Sequence, residues 1–207
     1  MKMKALAVLF LMVAATPLVA QERKIQLTVW GSQVEMEGDT DLGDGFETDF
    51  DEGGGFGASV NFALTPHFSV EGSAFGLRSD AGIVFEGVAP VDLGTLNLTP
   101  IMAGVQVHPF GNSRFDLYAG AGGAYVITDD FNSRELDTVG LGRIEIDSDI
   151  TYYYNLGLAF QITEGFGVAV DARQIAYEPS TRSTATGVEQ DLDITPRIYS
   201  AGLRFRF

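Results

Sequence analysis

The sequence predicts an all-β protein, an eight-stranded antiparallel up-and-down transmembrane β-barrel. Three observations carry that expectation. Residues 1–20 have the form of an export signal. Eight later stretches alternate apolar residues with small or polar ones, and each is about 10 residues or longer, enough for a tilted strand to cross a bilayer. The connections between them alternate strictly between tight and long, as in a barrel with short periplasmic turns and long external loops. Both termini then lie on the periplasmic side.

The export signal comes first. Lys2 and Lys4 precede an uncharged, mostly apolar run from Ala5 to Ala15, and Leu18-Val19-Ala20 leads to Gln21. The run is too short for a spanning helix, which argues against an N-terminal anchor and for a cleaved signal peptide, 1–20. The remainder, 21–207, is one domain's worth of chain. It has no Cys, hence no disulfide and no thiolate metal site. With 13 Lys+Arg against 28 Asp+Glu, the net charge of −15 repels nucleic acid. No later segment approaches the ~18 consecutive apolar residues of a membrane-spanning helix. Yet 45% of the chain is hydrophobic and 25 residues are Gly, which suits strands around a narrow lumen.

The expected strands are 24–34, 54–64, 68–78, 98–109, 114–128, 149–162, 166–177 and 192–207. The second reads GGFGASVNFAL, with Phe56, Ala58, Val60, Phe62 and Leu64 on one face and Gly55, Gly57, Ser59 and Asn61 on the other. The sixth has the clearest period, setting Ile150, Tyr152, Tyr154, Leu156, Leu158, Phe160 and Ile162 against Thr151, Tyr153, Asn155, Gly157, Ala159 and Gln161. Tight turns fall at 65–67, 111–113 and 163–165; long connections fall at 35–53, 79–97, 129–148 and 178–191. Phe62, Phe68, Phe110, Phe115, Phe160 and Phe166 gather near the tight turns, as in an interfacial girdle. A soluble, lipocalin-like barrel shows similar alternation with its apolar face inward. The Gly-rich second face argues for a narrow lumen and an apolar exterior instead.

The C-terminal SAGLRFRF places Gly202, Phe205 and Phe207 in a pattern that resembles the signal read by the barrel-assembly machinery. Three stretches resemble the OmpW family of small outer-membrane barrels: Leu98-Thr99-Pro100 running into IMAGVQVHPF, RFDLYAGAGGAYV at 114–126, and LDITPRIYSAGLRF at 192–205. That resemblance implies a barrel in the outer membrane of a Gram-negative bacterium, passing small hydrophobic molecules through a narrow apolar pocket. The first loop departs from the family in being longer and more acidic. The expected surroundings are outer-membrane lipid and lipopolysaccharide, with no cofactor and a monomeric state. The alternative function is a closed barrel that acts as a surface interaction or structural protein through its acidic external loops.

Side-chain parity and strand direction divide the inward-facing positions by height. The upper set, a ligand-pocket candidate, is Trp30, Val34, Phe75, Leu77, Met102, Val126, Tyr153, Ile175 and Ile198. The lower set is polar: Gln26, Gln106, His108 and Gln161, with the charges Glu71, Asp116, Asp171, Arg173, Arg204 and Arg206. Buried charges must pair, so a salt-bridged plug is expected. An apolar ligand that entered from outside would then leave sideways, between strands, into lipid. The bland alternative is that the upper residues merely fill a small barrel.

The first long connection carries a run of acids. Its Asp39, Asp41 and Asp44 superficially resemble a calcium loop, but the fifth position is Gly43 and the twelfth is Phe50 rather than Glu. The expectation is diffuse divalent-cation binding on a solvated loop, not a specific metal site. Catalysis has no sequence motif: there is no G-x-S-x-G and neither His has a local serine motif. A barrel would be able to bring Ser69 or Ser73 to His108, but nothing in the sequence requires it, and no enzyme is expected.

Overall fold

The computed structural model describes residues 24–37, 46–50, 52–85, 91–111, 113–129, 144–146, 148–177, 180–183, 189–191 and 195–207. The expected signal peptide and the acids Asp39, Asp41 and Asp44 lie outside the described residues. Eight long strands form the wall: β1 (Ile25–Glu37), β3 (Gly53–Thr65), β4 (Phe68–Phe85), β5 (Val91–Val107), β6 (Phe115–Thr128), β8 (Asp149–Gln161), β9 (Phe166–Ala176) and β12 (Thr195–Arg206). Each pairs antiparallel with its neighbour in chain order, and β1 pairs with β12 from Gln26↔Arg206 to Glu37↔Thr195, which closes the barrel and leaves no edge. Short β2 (Phe46–Phe50) adds to the outer end of β4, while β7 (Ile144–Ile146), β10 (Ser180–Ser183) and β11 (Glu189–Asp191) form a small separate sheet.

All eight expected strands are present. The long connection at 79–97 needs correction, because most of it is strand. β4 and β5 stay paired from Arg78↔Asn97 to Ile83↔Val91, with one irregularity at Ala81/Gly82. Its Asp and Gly residues read as loop composition, but a hairpin ladder depends on backbone groups and continues where side-chain alternation fades. The tight turns are held locally. The amides of His67 and Phe68 donate to Thr65 Oγ1, and the Phe166 amide donates to Thr163 Oγ1. Gly111 turns with φ +65°, a conformation that favours glycine.

The outer face is apolar around the barrel. Phe62, Phe68, Phe110, Phe115, Phe160 and Phe207 are exposed at the short-turn end, and Tyr125, Tyr152, Tyr154 and Tyr199 are exposed towards the other. Phe205 is half-buried and packs on Phe166, ring centroids 5.6 Å apart. Two aromatic belts bounding a band of Val, Leu and Ile suit a bilayer, not water.

The inner face has a pattern that only register reveals: four large rings, Trp30, Phe75, Tyr118 and Tyr153, stand opposite glycines. Trp30 faces Gly202 on one side and Gly57 on the other. Phe75 also faces Gly57, Tyr118 faces Gly157 and Tyr153 faces Gly122. A Cβ on Gly57 would fall in the Phe75 ring, one on Gly157 in the Tyr118 ring, and one on Gly202 2.6 Å from Trp30 Cε3. An eight-stranded barrel leaves room for little beyond side chains. These four rings fit because the neighbouring strand is bare.

Candidate functional site: a lumen divided by charge

The upper lumen is a continuous apolar cluster. Trp30, Val34, Phe75, Leu77, Met102, Val126, Tyr153, Ile175 and Ile198 all point inward, none more than 2% exposed. Trp30 donates its indole N–H to Ser59 Oγ at 3.0 Å, so the one polar atom of that ring is satisfied. Met36, Leu96, Leu98, Ala124 and Tyr177 belong to the same cluster but escaped the sequence reading. Leu96 lies in the expected 79–97 connection, and Met36 lies beyond the expected end of β1. Leu98, Ala124 and Tyr177 share the parity of Met102, Val126 and Ile175, and that signal was available.

Below the apolar cluster, Arg173 spans the lumen. Nη2 donates to Glu71 Oε1 at 2.8 Å, Nε to Asp171 Oδ1 at 3.2 Å, and Nη1 to Ser73 Oγ at 2.7 Å. Gln106 Nε2 donates to the second oxygen of Glu71, and Asn155 Nδ2 donates to that of Asp171 at 2.8 Å. The guanidinium also lies 5.2 Å from the Phe75 ring centre and 5.1 Å from that of Tyr153. The rings stabilise the cation and form the floor of the apolar half.

A second layer lies nearer the short turns. Arg204 Nη1 donates to Asp116 Oδ2 at 3.0 Å, and Arg206 Nη2 approaches the same oxygen at 3.8 Å. On its other oxygen, Asp116 Oδ1 is 2.8 Å from His108 Nδ1, and His108 Nε2 is 2.9 Å from Ser69 Oγ. Tyr118 lies between the layers, its ring 5.1 Å from the Arg204 guanidinium and seated on Gly157. All six charges expected in the lower lumen therefore lie inside it, sorted into two layers: Glu71 and Asp171 with Arg173, then Asp116 with Arg204 and Arg206. Tyr118 shares a face with Asp116, so its inward placement follows from the same parity. Of the two serines the sequence allows near His108, the β4–β5 register Ser69↔Gln106 selects Ser69.

The wall is interrupted beside the apolar half. The β4–β5 ladder pairs Ala74 with Ile101 and resumes at Leu77↔Leu98, leaving Phe75/Pro100 and Gly76/Thr99 unpaired. Pro100 has no amide proton to give there. On the outer surface at this point is a groove of about 720 Å³, lined by Gly54, Phe56, Gly76, Arg78, Asn97 and Thr99 among others.

No curated protein matches the chain significantly. Among solved structures, the outer membrane protein OprG from Pseudomonas aeruginosa superposes with a TM-score of 0.73 at 18% identity, covering 89% of this chain and 96% of that one. AlkL, solved in lipid bilayers, gives a TM-score of 0.66 at 16% identity, covering 93% and 94%. The E. coli outer membrane protein W gives 0.54 at 13%, covering 91% and 100%. At these identities the likeness is one of fold, and it agrees with the OmpW-like stretches read from the sequence. The family model for the outer membrane protein beta-barrel domain matches residues 5–207. With a closed antiparallel wall, an apolar outer band and an ion-paired interior, the chain belongs to the family of outer-membrane β-barrel proteins.

Proposed function

We propose that this barrel takes small, uncharged, apolar molecules into its upper lumen from outside and releases them sideways into the membrane. The observation that carries this reading is the division of the lumen. Its upper half offers only apolar walls and internally satisfied polar groups. Its lower half holds six charges that an apolar solute has no means to solvate. A straight path is closed to such a solute, and the unpaired β4–β5 segment at Pro100 lies where a sideways path would begin. The setting is an outer membrane with lipopolysaccharide outside. A leader removed after Ala20 would precede delivery by the assembly machinery, and the barrel would work as a monomer.

A second reading has its own support. The upper side chains are buried against one another, as in a filled barrel whose business lies in its external loops. Ligand entry therefore requires Trp30, Phe75 or Leu77 to move.

The only tryptophan separates the two. Toluene and n-octane are titrated into the barrel refolded in detergent micelles while Trp30 emission is followed. Passage predicts a saturable shift that Met102→Phe abolishes by filling the site. In liposomes, Pro100→Val should slow transfer into lipid, because it restores an amide donor to the ladder. A flat, already blue-shifted emission favours the filled barrel.

A further inference from the structure

The passage reading makes no use of the chain Ser69–His108–Asp116, and a plug needs only Asp116 with its arginines. We propose that Ser69 is a nucleophile for small acyl esters reaching the barrel from its short-turn mouth. The geometry has the order acyl transfer requires. The acid is on Nδ1 of His108 at 2.8 Å and the serine hydroxyl is on Nε2 at 2.9 Å. Asp116 thus sets the tautomer, leaving Nε2 as the acceptor for the serine proton.

The three residues come from adjacent strands at their short-turn ends. Ser69 is the second residue of β4, Asp116 the second of β6, and His108 directly follows β5. The His108 carbonyl is held by His67 Nδ1 at 2.9 Å, and its ring lies against Tyr118, centroids 6.0 Å apart. The imidazole is therefore held at both its backbone and its ring. Arg204 donates Nη1 to Asp116, while its Nε has no hydrogen-bond partner among the described residues. That buried donor belongs to the guanidinium that holds Asp116. Ser69 and His108 are 3% and 4% exposed, so the substrate class is restricted to small esters.

In the step itself, Ser69 Oγ bonds to the ester carbonyl carbon as its proton passes to His108 Nε2. The imidazolium, stabilised by Asp116, returns that proton to the leaving alcohol as the ester C–O bond breaks. Water then attacks the acyl-serine, giving its proton to His108. The carboxylic acid leaves, and the proton returns to Ser69.

The test uses the folded full-length barrel in detergent, with folding checked by heat-dependent gel migration. Diisopropyl fluorophosphate is added; Ser69 Oγ displaces fluoride, and peptide mass spectrometry locates the adduct. The expected result is a single adduct on Ser69, formed about 100-fold or more faster than in the urea-unfolded chain, the lower range of general-base assistance. His108→Gln should remove that advantage, and Ser69→Ala should remove p-nitrophenyl acetate turnover. The comparison of folded with unfolded wild type needs no variant, so a variant that misfolds leaves the test intact. Absence of the Ser69 adduct in the folded protein, labelling no faster than in the unfolded chain, or labelling without ester turnover overturns the proposal. His108 is then a structural residue whose two nitrogens are satisfied by Ser69 and Asp116.

Discussion

Replacing Arg173 by Met tests the middle layer most severely. The substitution preserves much of the side chain's apolar stem and removes the cation. Glu71 and Asp171, with side chains 1% exposed, then remain buried without a counter-charge. Leaving one member of a buried pair unpartnered costs about 3–5 kcal/mol. The loss of the donor to Ser73 adds about 1 kcal/mol, and the Phe75 and Tyr153 ring contacts add a similar amount together. Gln106 and Asn155 still donate to the two carboxylates, which offsets part of the loss. A net destabilisation of about 4 kcal/mol follows from these terms. At a urea dependence of about 2 kcal/mol per molar, the midpoint falls by about 2 M. The assay is urea titration in micelles from both the folded and unfolded sides, read by Trp30 emission and gel migration. Combining Arg173→Met with Glu71→Gln and Asp171→Asn removes every charge in the layer and should recover at least half of the loss, since neutral replacements of buried ion pairs are often tolerated. A fall under about 0.5 M for the single variant, or a triple variant no more stable than the single one, refutes the reasoning.

Two further outcomes are expected. Gly157→Val puts a branched side chain where the Tyr118 ring lies; it should destabilise the barrel by about 1–3 kcal/mol or more through overpacking, whereas the same change at Gly76, whose Cβ would meet nothing within 4 Å, should cost little. Deleting Phe207 removes an amide that donates to the Ile25 carbonyl at the barrel seam; it should reduce the amount of folded barrel in the outer membrane of cells far more than the yield of unassisted refolding in micelles, and equal losses in both would mean that the residue acts only through seam stability.

The wall of this protein is legible in its sequence because strand parity and turn spacing are local properties. Alternation in β3 and β8 separated lipid-facing from lumen-facing residues, and strand direction then placed Trp30, Phe75 and Tyr153 above Glu71, Asp116 and Arg204. What lay beyond reach depends on contacts between strands distant in the chain. Local composition hid the outer parts of β4 and β5, where Gly and Asp interrupt the pattern but the backbone ladder persists. The pairing of Trp30, Phe75, Tyr118 and Tyr153 with glycines appears only once register is set: Tyr118 and Gly157 are 39 positions apart, yet adjacent in the wall. The same holds for the charges. Their total was countable, but Arg173 chose Glu71 and Asp171, while Asp116 took Arg204 and His108, because side-chain reach across a closed lumen decides partners. The sequence by itself determined a barrel, its inside and its outside. Register between neighbouring strands decided which buried groups meet: the β4–β5 and β5–β6 pairings bring Ser69, His108 and Asp116 within hydrogen-bonding distance.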